Sequence, residues 1–478
     1  MVGHRFVAAL RARDTGGAWR IVVLGDEADA AYDRVGLSSY VSAWDRSLLA
    51  LTGNDYVGDA LVDLRLGHAV TGIDRDAKQV SVADGSTVDY DALVLATGSY
   101  PFVPPVPGRD ADGCHVYRTL DDLDAIRVDA EAALADDPKA VGIVVGGGLL
   151  GLEAANALRL MGIRPHIVEF APRLMPLQVD EAGGEHLMRL VCELGIDVTV
   201  GAGTSAIERV EGADGARGLR VSLSNDDVID AALLVFSAGV RPRDELARAA
   251  GLDIGERGGV ICDLSCATSD PAVYAIGEVA AIEGRCYGLV GPGYTTAEVV
   301  ADRLLGGDAE FRGADLSTKL KLLGVDVASF GDALATTPGA LEVVVSDPIG
   351  GTYSKLVLSD DVQTLLGGIL IGDASSYGVL RPLVGSKLPG DPVTLIAPAG
   401  MVPLCLTAMS RSRCACTAIF PLWPKAGRPA KLVLLRGAKD TRVPVRLMPG
   451  LVLHQPDGSF SDAAQSILRD GAALPMDD

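Results

Sequence analysis

Residues 140–169, AVGIVVGGGLLGLEAANALRLMGIRPHIVE, are the most informative stretch for predicting the fold. Positions 140–145 are a short apolar run with Val and Ile, which is typical of a strand buried on both faces. Positions 149–161 have the apolar face of a helix, and positions 167–169 indicate a second strand that ends in an acid. The order strand, glycine turn, helix, strand predicts an α/β unit.

The glycines of the turn have the spacing G-x-G-x-x-G, at Gly146, Gly148 and Gly151. In this pattern the first glycine permits a tight turn, the second lets the backbone approach a pyrophosphate, and the third lets the helix pack close to the strand. Leu149 opens the helix, whose N-terminal N–H groups and dipole would face the phosphates. Glu169 lies 18 residues after Gly151, where a carboxylate can accept both hydroxyls of the adenosine ribose. The stretch predicts a dinucleotide site; a glycine turn in another α/β unit is the alternative.

Glu169 also bears on which dinucleotide binds. A carboxylate at that position would repel a 2′-phosphate, so NADH is favoured over NADPH. Arg173 lies close in sequence and leaves NADPH open.

Length, charge and cysteine usage narrow the class of protein. The 478 residues allow two or three domains. A net charge of −21 argues against nucleic acid or an anionic membrane surface as the main partner. Apolar runs stop short of the roughly 20 residues of a membrane span, and the first residues have no signal-peptide core. The eight cysteines are scattered, as is typical of reduced thiols, so we expect a cytoplasmic protein.

The first residues resemble the second half of another dinucleotide unit. Positions 1–13 predict a helix and positions 21–24 a buried strand, with Glu27 just beyond it. Gly3 would be the third glycine of that unit and Glu27 its ribose acid. The first strand and the two leading glycines do not precede Met1. The alternative is an ordinary amphipathic helix before a strand.

Further candidate ligand contacts lie where predicted strands end. Strands are predicted at 91–97, 233–239 and 273–277, and a glycine at a strand end lets a ligand approach the backbone. The candidates at these ends are Thr97, Gly98, Gly239, Gly277 and Glu278. Arg34 lies on the loop 31–40 and could reach a pyrophosphate, with a surface salt bridge as the alternative.

Several blocks of sequence resemble a known family. ATGSYPFVPPVPG (96–108), VVGGGLLGLEAANAL (144–158), SAGVRPRDELA (237–247) and YAIGEVA (274–280) resemble the two-dinucleotide flavoprotein reductases. AYDRVGLSSY (31–40) and KLKLLGVDVASFGD (319–332) resemble, within them, the reductase module of assimilatory NAD(P)H nitrite reductases. The resemblance covers about residues 1–400.

The resemblance implies an α/β fold with two Rossmann-like domains. An FAD-binding domain at 1–110 and 262–312 would be split by an NAD(P)H-binding domain at 111–261, and a small α+β domain would follow at 313–400. The residues implied to contact FAD are Gly3, Glu27, Arg34, Thr97, Gly98, Gly277 and Glu278. Those implied to contact NADH are Gly146, Gly148, Leu149, Gly151, Glu169 and Gly239, with Glu153 facing the nicotinamide.

The implied chemistry is hydride transfer from nicotinamide C4 to flavin N5, followed by electron transfer to an acceptor. The implied acceptor is an iron–sulfur and sirohaem module or a small redox protein, and a homodimer is left open. Neither C-x-x-C nor C-x-x-x-x-C occurs, so no dithiol relay is expected, and Cys262 and Cys266 are interpreted as buried small residues. Cys414 and Cys416 supply half of a [2Fe–2S] ligand set, so no cluster or sirohaem is expected in this chain.

Residues 401–478 depart from the rest of the chain. They contain ten Lys and Arg, six Asp and no Glu, a net charge of +4, whereas residues 1–400 carry 32 minus 57, or −25. The resemblance stops there and the apolar residues show no sustained period, which predicts a poorly ordered tail. Our hypothesis is that this tail is translated out of frame.

These features together predict an FAD-dependent NAD(P)H oxidoreductase that serves as the electron-input part of a nitrite reductase in nitrate assimilation. One alternative is a stand-alone reductase for a ferredoxin- or rubredoxin-like carrier. A second is an inactive truncated fragment or a non-enzymatic nucleotide-binding scaffold.

Overall fold

The computed structural model describes residues 1–51, 56, 58–211, 217–322, 324–387, 393–411, 414–439, 444–470 and 474. The described helices are α1 Val2–Arg13, α2 Leu37–Ala43, α3 Leu120–Asp136, α4 Leu149–Leu160, α5 Glu181–Glu193, α6 Glu245–Ala249, α7 Val290–Leu304, α8 Tyr377–Leu380, α9 Val402–Arg411 and α10 Asp462–Asp470. The described strands are β1 Ile21–Leu24, β2 Val62–Arg65, β3 Val70–Asp74, β4 Gln79–Val82, β5 Thr87–Asp89, β6 Leu93–Leu95, β7 Ser99–Pro101, β8 Cys114–Val116, β9 Val141–Val145, β10 Arg164–Glu169, β11 Asp197–Val200, β12 Thr204–Glu211, β13 Arg217–Leu223, β14 Val228–Ala231, β15 Leu233–Phe236, β16 Val240–Pro242, β17 Val260–Cys262, β18 Val273–Ala275, β19 Ala280–Ile282, β20 Arg285–Cys286, β21 Thr318–Leu322, β22 Val325–Gly331, β23 Leu341–Asp347, β24 Thr352–Leu358, β25 Leu365–Gly372, β26 Val393–Pro398, β27 Cys414–Lys425, β28 Leu432–Lys439, β29 Arg446–Leu447 and β30 Leu451–His454.

The chain forms two compact units. The first contains Met1–Val357 and Leu366–Val384, and the second contains Leu358–Leu365 and Gly385–Asp478. None of the described helices combines the length and the apolar composition that crossing a bilayer requires.

A parallel sheet in the order β11-β10-β9-β15-β8 lies at the centre of the first unit. Its middle strands are buried because they are built almost entirely from Val, Ile, Leu and Phe. The helix α3 begins with a capping box between Thr119 and Asp122, and α4 follows the glycine turn after β9. The antiparallel strands β12, β13 and β14 pack on the sheet through Ile207, Leu219 and Val221. This strand order, with β9 as the central strand, is that of a dinucleotide-binding fold, and the predicted α/β class is confirmed.

The segments on either side of this sheet in sequence form smaller sheets. Strand β1 pairs in parallel with β2, and β6 pairs in parallel with β18. Among the described strands, β1 has β2 as its sole partner, and each residue of β1 remains partly exposed. The helices α1 and α7 pack together in a core that includes Phe6, Leu10 and Val300. These segments therefore contain two-stranded parallel pairs, whereas the centre of the unit contains a continuous five-stranded sheet.

The first unit also contains a sheet in the order β21-β22-β25-β24-β23. Strand β22 is antiparallel to both of its neighbours. The sheet is buried through Val327, Ile369 and Ile371, which join the same apolar core as the helices α4 and α5. This sheet falls in the region that the sequence assigns to a small α+β domain.

In the second unit, the described residues of 401–478 form strands and helices where the sequence predicts a poorly ordered tail. The remaining residues of that tail lie outside the described ranges. The described strands of the second unit form a sheet in the order β26-β28-β27-β29, and β30 also pairs with β27. In β27 the buried residues Cys416, Ala418 and Phe420 alternate with less buried ones, which is the period of a strand with one covered face. Two of these three side chains are small, so the alternation is weak in the sequence. Strand β26 begins at Val393, before the predicted boundary at residue 400.

Candidate functional site

The glycine turn between β9 and α4 has three different environments for its three motif glycines. Gly146 has φ +115°, and a Cβ there would overlap the carbonyl of Ser237. A Cβ on Gly151 would overlap the carbonyl oxygen of Gly146, so the helix approaches the strand as closely as it does because this residue is glycine. A Cβ on Gly148 would have no described atom within 4 Å. A side chain would clash at the first and third glycines, so the turn is closed there, whereas the second glycine has open space beside it.

The helix α4 begins beside the open side of the turn. Gly148 is the N-cap of α4, and no described side chain caps the helix that begins at Leu149. The first N–H groups of such a helix have no acceptor within the helix and favour an anion. Gly239, after β15, has φ +101° and likewise no described atom within 4 Å of a built Cβ. A ligand can therefore approach the backbone closely at Gly148 and Gly239.

Glu169 ends β10 beside the turn. Its carboxylate accepts N–H groups from Gly147 at 2.5 Å and from Ala171 at 2.7 Å. These bonds fix the carboxylate next to the glycine turn. An acid fixed there can accept the hydroxyls of a ribose whose phosphates lie at the helix N-terminus.

Glu153 lies in α4 after the turn and is partly exposed. Burial raises the pKa of its carboxyl to about 7. Burial also raises the pKa of the nearby Tyr117 phenol above its usual range, and the charge of Glu153 adds to that increase. The Glu153 carboxyl can therefore be neutral or charged near neutral pH.

A second polar cluster joins residues from distant parts of the first unit. Arg34 forms an ion pair with Glu27 and donates to the carbonyl of Arg118 at 3.1 Å. Arg118 pairs with Glu278, and the Ser99 hydroxyl donates to the same carboxylate at 2.6 Å. The structure thus brings together the predicted residues Glu27, Arg34 and Glu278. Arg34 thus forms a salt bridge, and its contact with a pyrophosphate stays a prediction.

Ser99 and Arg118 were not predicted from the sequence as members of this polar cluster. Ser99 directly follows the predicted Gly98, so extending that motif by one residue would have included it. Arg118 directly precedes the N-cap Thr119 of α3, and a basic residue before a helix is a weak signal by itself. Its partner Glu278 is 160 residues away in sequence, so only the fold shows the contact.

The backbone after β6 is fixed by hydrogen bonds and has free space beside it at Gly98. The Thr97 hydroxyl donates to the carbonyl of Arg243 at 2.7 Å, and the Arg243 N–H donates to the carbonyl of Gly98 at 2.9 Å. Gly98 has φ +70°, and no described atom lies within 4 Å of a Cβ built there. A ligand can therefore approach Gly98 closely.

The start of α1 packs into this same region. A Cβ on Gly3 would be 3.4 Å from the Ala96 side chain, and a Cβ on Gly277 would be 3.2 Å from Val2. Gly277 has φ +75° and opens the turn that carries Glu278. The predicted residues Gly3, Gly277 and Glu278 thus come together at the carboxyl ends of β6 and β18.

The chemistry of these two regions fits FAD and NAD(P)H. Each has an acid at the end of a strand, Glu27 or Glu169, and glycines with open space beside the backbone. The helix α7, like α4, begins without a side-chain cap among the described residues. Glu27 is already engaged, because Tyr32 donates to it at 2.9 Å and Arg34 pairs with it, so a bound ribose would exchange for these partners.

Cys262 and Cys266 do not supply reactive thiols to these regions. Cys262 and Cys266 are buried, as interpreted from the sequence, and burial raises the pKa of the Cys262 thiol to about 12. In the described part of the chain, no group of three or more His, Cys, Asp or Glu residues is arranged to hold a metal ion.

A cavity of about 900 Å³ lies beside β8. None of the predicted site residues lines it, but the lining residue Phe102 donates its N–H to the carbonyl of Gly239 at 2.8 Å. The cavity is lined by Tyr100, Phe102, His115 and Arg241 among others. The Arg241 guanidinium lies 4.1 Å from the centre of the Phe102 ring, and His115 contacts Asp129 at 2.8 Å. Arg241 and His115 therefore already have partners within the protein.

Comparison with known proteins agrees with this geometry. Residues 6–299, more than half of the chain, match the family model of the pyridine nucleotide-disulphide oxidoreductases. Residues 317–388 match the rubredoxin NAD+ reductase C-terminal domain.

Curated relatives and a solved structure extend the comparison. The chain is 48% identical to the nitrite reductase [NAD(P)H] large subunit of Klebsiella oxytoca, over 84% of this chain and 41% of that protein. It is 45% identical to the nitrite reductase (NADH) large subunit of Escherichia coli, over 84% of this chain and 46% of that protein. The chain thus spans less than half the length of these relatives.

The crystal structure of a ferredoxin reductase from Rhodopseudomonas palustris superimposes with a TM-score of 0.68 at 26% identity, over 79% of this chain and 90% of that one. The family implies FAD and NAD(P)H as cofactors, which the two polar regions fit. The chain belongs to the pyridine nucleotide-disulphide oxidoreductase family.

Proposed function

We propose that this chain is the electron-input part of an NAD(P)H nitrite reductase in nitrate assimilation. Its proposed task is to accept a hydride from NADH onto FAD and to pass the electrons to a separate acceptor. The observation that carries the proposal is the turn after β9, closed at Gly146 and Gly151 and open at Gly148, with Glu169 fixed beside it. The names of its curated relatives supply the nitrite reductase context.

The proposed domain division follows the sequence prediction. Residues 1–110 and 262–312 would bind FAD, 111–261 would bind NADH, and 313–400 would form the small α+β domain. Bound FAD would supply an acceptor for the hydride of NADH and a store for its electrons. Glu27, Arg34 and Glu278 would hold FAD, while Glu153 would position the nicotinamide.

Glu169 supports the choice of NADH over NADPH. Its carboxylate is held by two backbone N–H groups and lies where a 2′-phosphate would meet like charge. Replacing Glu169→Ala should lower the ratio of kcat/KM for NADH to that for NADPH by about tenfold or more. Steady-state rates with both nucleotides measure this ratio. An unchanged ratio would assign the selectivity to another residue.

The acceptor is proposed to be an iron–sulfur and sirohaem module, as expected from the sequence. A small redox protein of the ferredoxin or rubredoxin class is the second candidate, supported by the rubredoxin NAD+ reductase domain at residues 317–388. The FAD-loaded chain should oxidise NADH with ferricyanide as an artificial acceptor and should leave nitrite unreduced. Rapid nitrite consumption by the purified chain would contradict this division of labour.

We also propose that two copies associate and that the protein works in the cytoplasm, where NADH is the electron donor. The edge strand β23 supports association, because its residues Leu341, Val343 and Val344 are exposed. Replacing Val344→Lys should convert a dimer to monomer in light scattering. A wild-type chain that is monomeric at high concentration would rule the dimer out.

A further inference from the structure

Lys355 is a buried charged residue that the proposed hydride transfer does not use. It lies on β24 and is 2% exposed. Its Nζ lies 3.0 Å from Asp180 Oδ2 and 2.7 Å from Glu342 Oε2. The Tyr353 hydroxyl donates to the same oxygen of Asp180 at 2.8 Å. A buried charge is costly unless it is paired, so Lys355 favours the arrangement in which Asp180 and Glu342 both lie beside it.

Lys355 and Asp180 remain charged at neutral pH. Burial alone would lower the pKa of Lys355, but its hydrogen bonds with Glu342 and Asp180 outweigh burial and raise the pKa. Burial would likewise raise the pKa of Asp180, but hydrogen bonds from Gly183, Tyr353 and Lys355 outweigh it and lower the pKa. Lys355 thus stays a cation and Asp180 an anion over the pH range of most enzyme assays.

Asp180 connects this cluster to the helix α5. Its side chain is the N-cap of α5 and accepts the N–H of Gly183 at 2.9 Å. A Cβ on Gly183 would lie 3.1 Å from Ile371 and 3.3 Å from Tyr353, so the start of α5 packs directly on the sheet that contains β24 and β25. The beginning of α5 is therefore fixed by residues of the region 313–400.

The segment 170–180 runs from Glu169 to Asp180 and contacts the glycine turn on its way. The N–H of Met175 donates to the carbonyl of Gly147 at 2.9 Å, and a Cβ on Gly147 would lie 2.6 Å from the Leu174 side chain. At its start, Ala171 donates to the Glu169 carboxylate at 2.7 Å. One end of the segment thus contacts the candidate nucleotide site, and the other end is held by Lys355.

We propose that Lys355 is a positioning residue for NADH: through Asp180 it holds the segment 170–180 against Gly147 and Glu169, and so sets the affinity for the nucleotide. The inference rests on the proposed function, because NADH is the ligand whose affinity is measured. It assigns to the region 313–400 a part in nucleotide binding, although that region lies outside the glycine-turn motif.

The test uses the full FAD-loaded chain and NADH as the probe. Lys355→Met should raise the dissociation constant and the KM for NADH by about tenfold or more while leaving kcat with ferricyanide within about twofold. The matched control is Lys319→Met. Lys319 lies on β21 of the same sheet and contacts the carbonyl of Ala374 and the Tyr377 ring, not the segment 170–180. The control should leave both constants unchanged.

A second variant separates positioning from stability. In the double variant Asp180→Asn, Lys355→Met, Asn retains the ability to cap α5 and Glu342, whose side chain is 46% exposed, can turn to water. This variant should fold with the stability of the wild type, yet its affinity for NADH should remain low. Recovery of affinity together with stability would overturn the proposal, as would a folded Lys355→Met variant with wild-type affinity. A wild-type chain that fails to bind NADH would instead overturn the proposed function.

Discussion

Gly146, Gly148 and Gly151 occupy one turn, yet the surroundings of their missing side chains differ. Gly148→Ala should leave the stability unchanged, because no described atom lies within 4 Å of the new Cβ. It should weaken NADH binding by about tenfold, because the Cβ fills space that the pyrophosphate needs. Gly151→Ala should instead destabilise the fold by about 1–3 kcal/mol, because the Cβ overlaps the carbonyl of Gly146. Urea unfolding and NADH titration separate the two effects.

If Gly148→Ala binds NADH as the wild type does, the open side of the turn is not the nucleotide site. If Gly151→Ala unfolds at the same urea concentration as the wild type, the close contact between α4 and β9 is not required for stability.

The raised pKa of the Glu153 carboxyl predicts that the stability of the fold depends on pH. Its folded pKa is raised to about 7 by burial, so folding favours the neutral carboxyl. The stability that it contributes is present below the unfolded pKa of about 4.3 and is lost as pH rises through about 7. Between pH 5 and pH 8, the free energy of unfolding of Glu153→Gln should therefore fall by about 1–2 kcal/mol less than that of the wild type, after allowance for partial exposure. Parallel losses in the two proteins, measured with urea, would show that Glu153 is not responsible.

The residues that the sequence predicts to lie together, and that the structure places together, are those that a local motif constrains. The three glycines and Glu169 lie within 24 residues of one another, and a strand–turn–helix–strand unit brings them together by itself. Arg118 and Ser99 could not be predicted, because their contacts with Glu278 bridge 160 and 179 residues. Lys355 was missed for the same reason, since its partner Asp180 lies 175 residues earlier.

At the scale of elements, the parallel strands of the two nucleotide-binding regions differ in protection from solvent. Strand β9 lies in the middle of its sheet and is almost wholly buried, whereas every residue of β1 is partly exposed. Hydrogen exchange should therefore be slower in β9 than in β1 by at least about tenfold. Adding FAD should slow exchange in β1 and leave β9 unchanged, because β1 leads into Glu27. Equal exchange in the two strands, measured by mass spectrometry, would contradict this difference.

The helices and strands that were predicted within residues 1–312 are observed to within a few residues, because apolar periodicity and glycine positions coincide there. Short strands such as Val70–Asp74 and Gln79–Val82 were not predicted. The predicted helix at 149–161 appears as Leu149–Leu160, and the predicted strand at 21–24 appears as Ile21–Leu24. The strands of the second unit were missed, because Cys416 and Ala418 give a weak apolar alternation even though both are buried. Burial of small side chains depends on their neighbours and not on their own hydrophobicity.

In the molecule as a whole, the two candidate nucleotide regions lie in one compact unit. Glu27, Arg34, Arg118 and Glu278 connect the parallel pairs near β1 and β18 to the start of α3. Lys355 and Asp180 connect the region 313–400 to α5. Both connections are ion pairs between residues far apart in sequence, so both depend on the complete first unit being folded.

The most direct test of the central claim is the visible absorption spectrum of the purified chain, recorded before and after NADH is added under anaerobic conditions. We expect a flavin band at about 450 nm that bleaches on addition of NADH, because FAD and NADH bind in one unit and hydride passes between them. A colourless protein that takes up no added FAD, or a flavin band that NADH leaves unchanged, would contradict this claim.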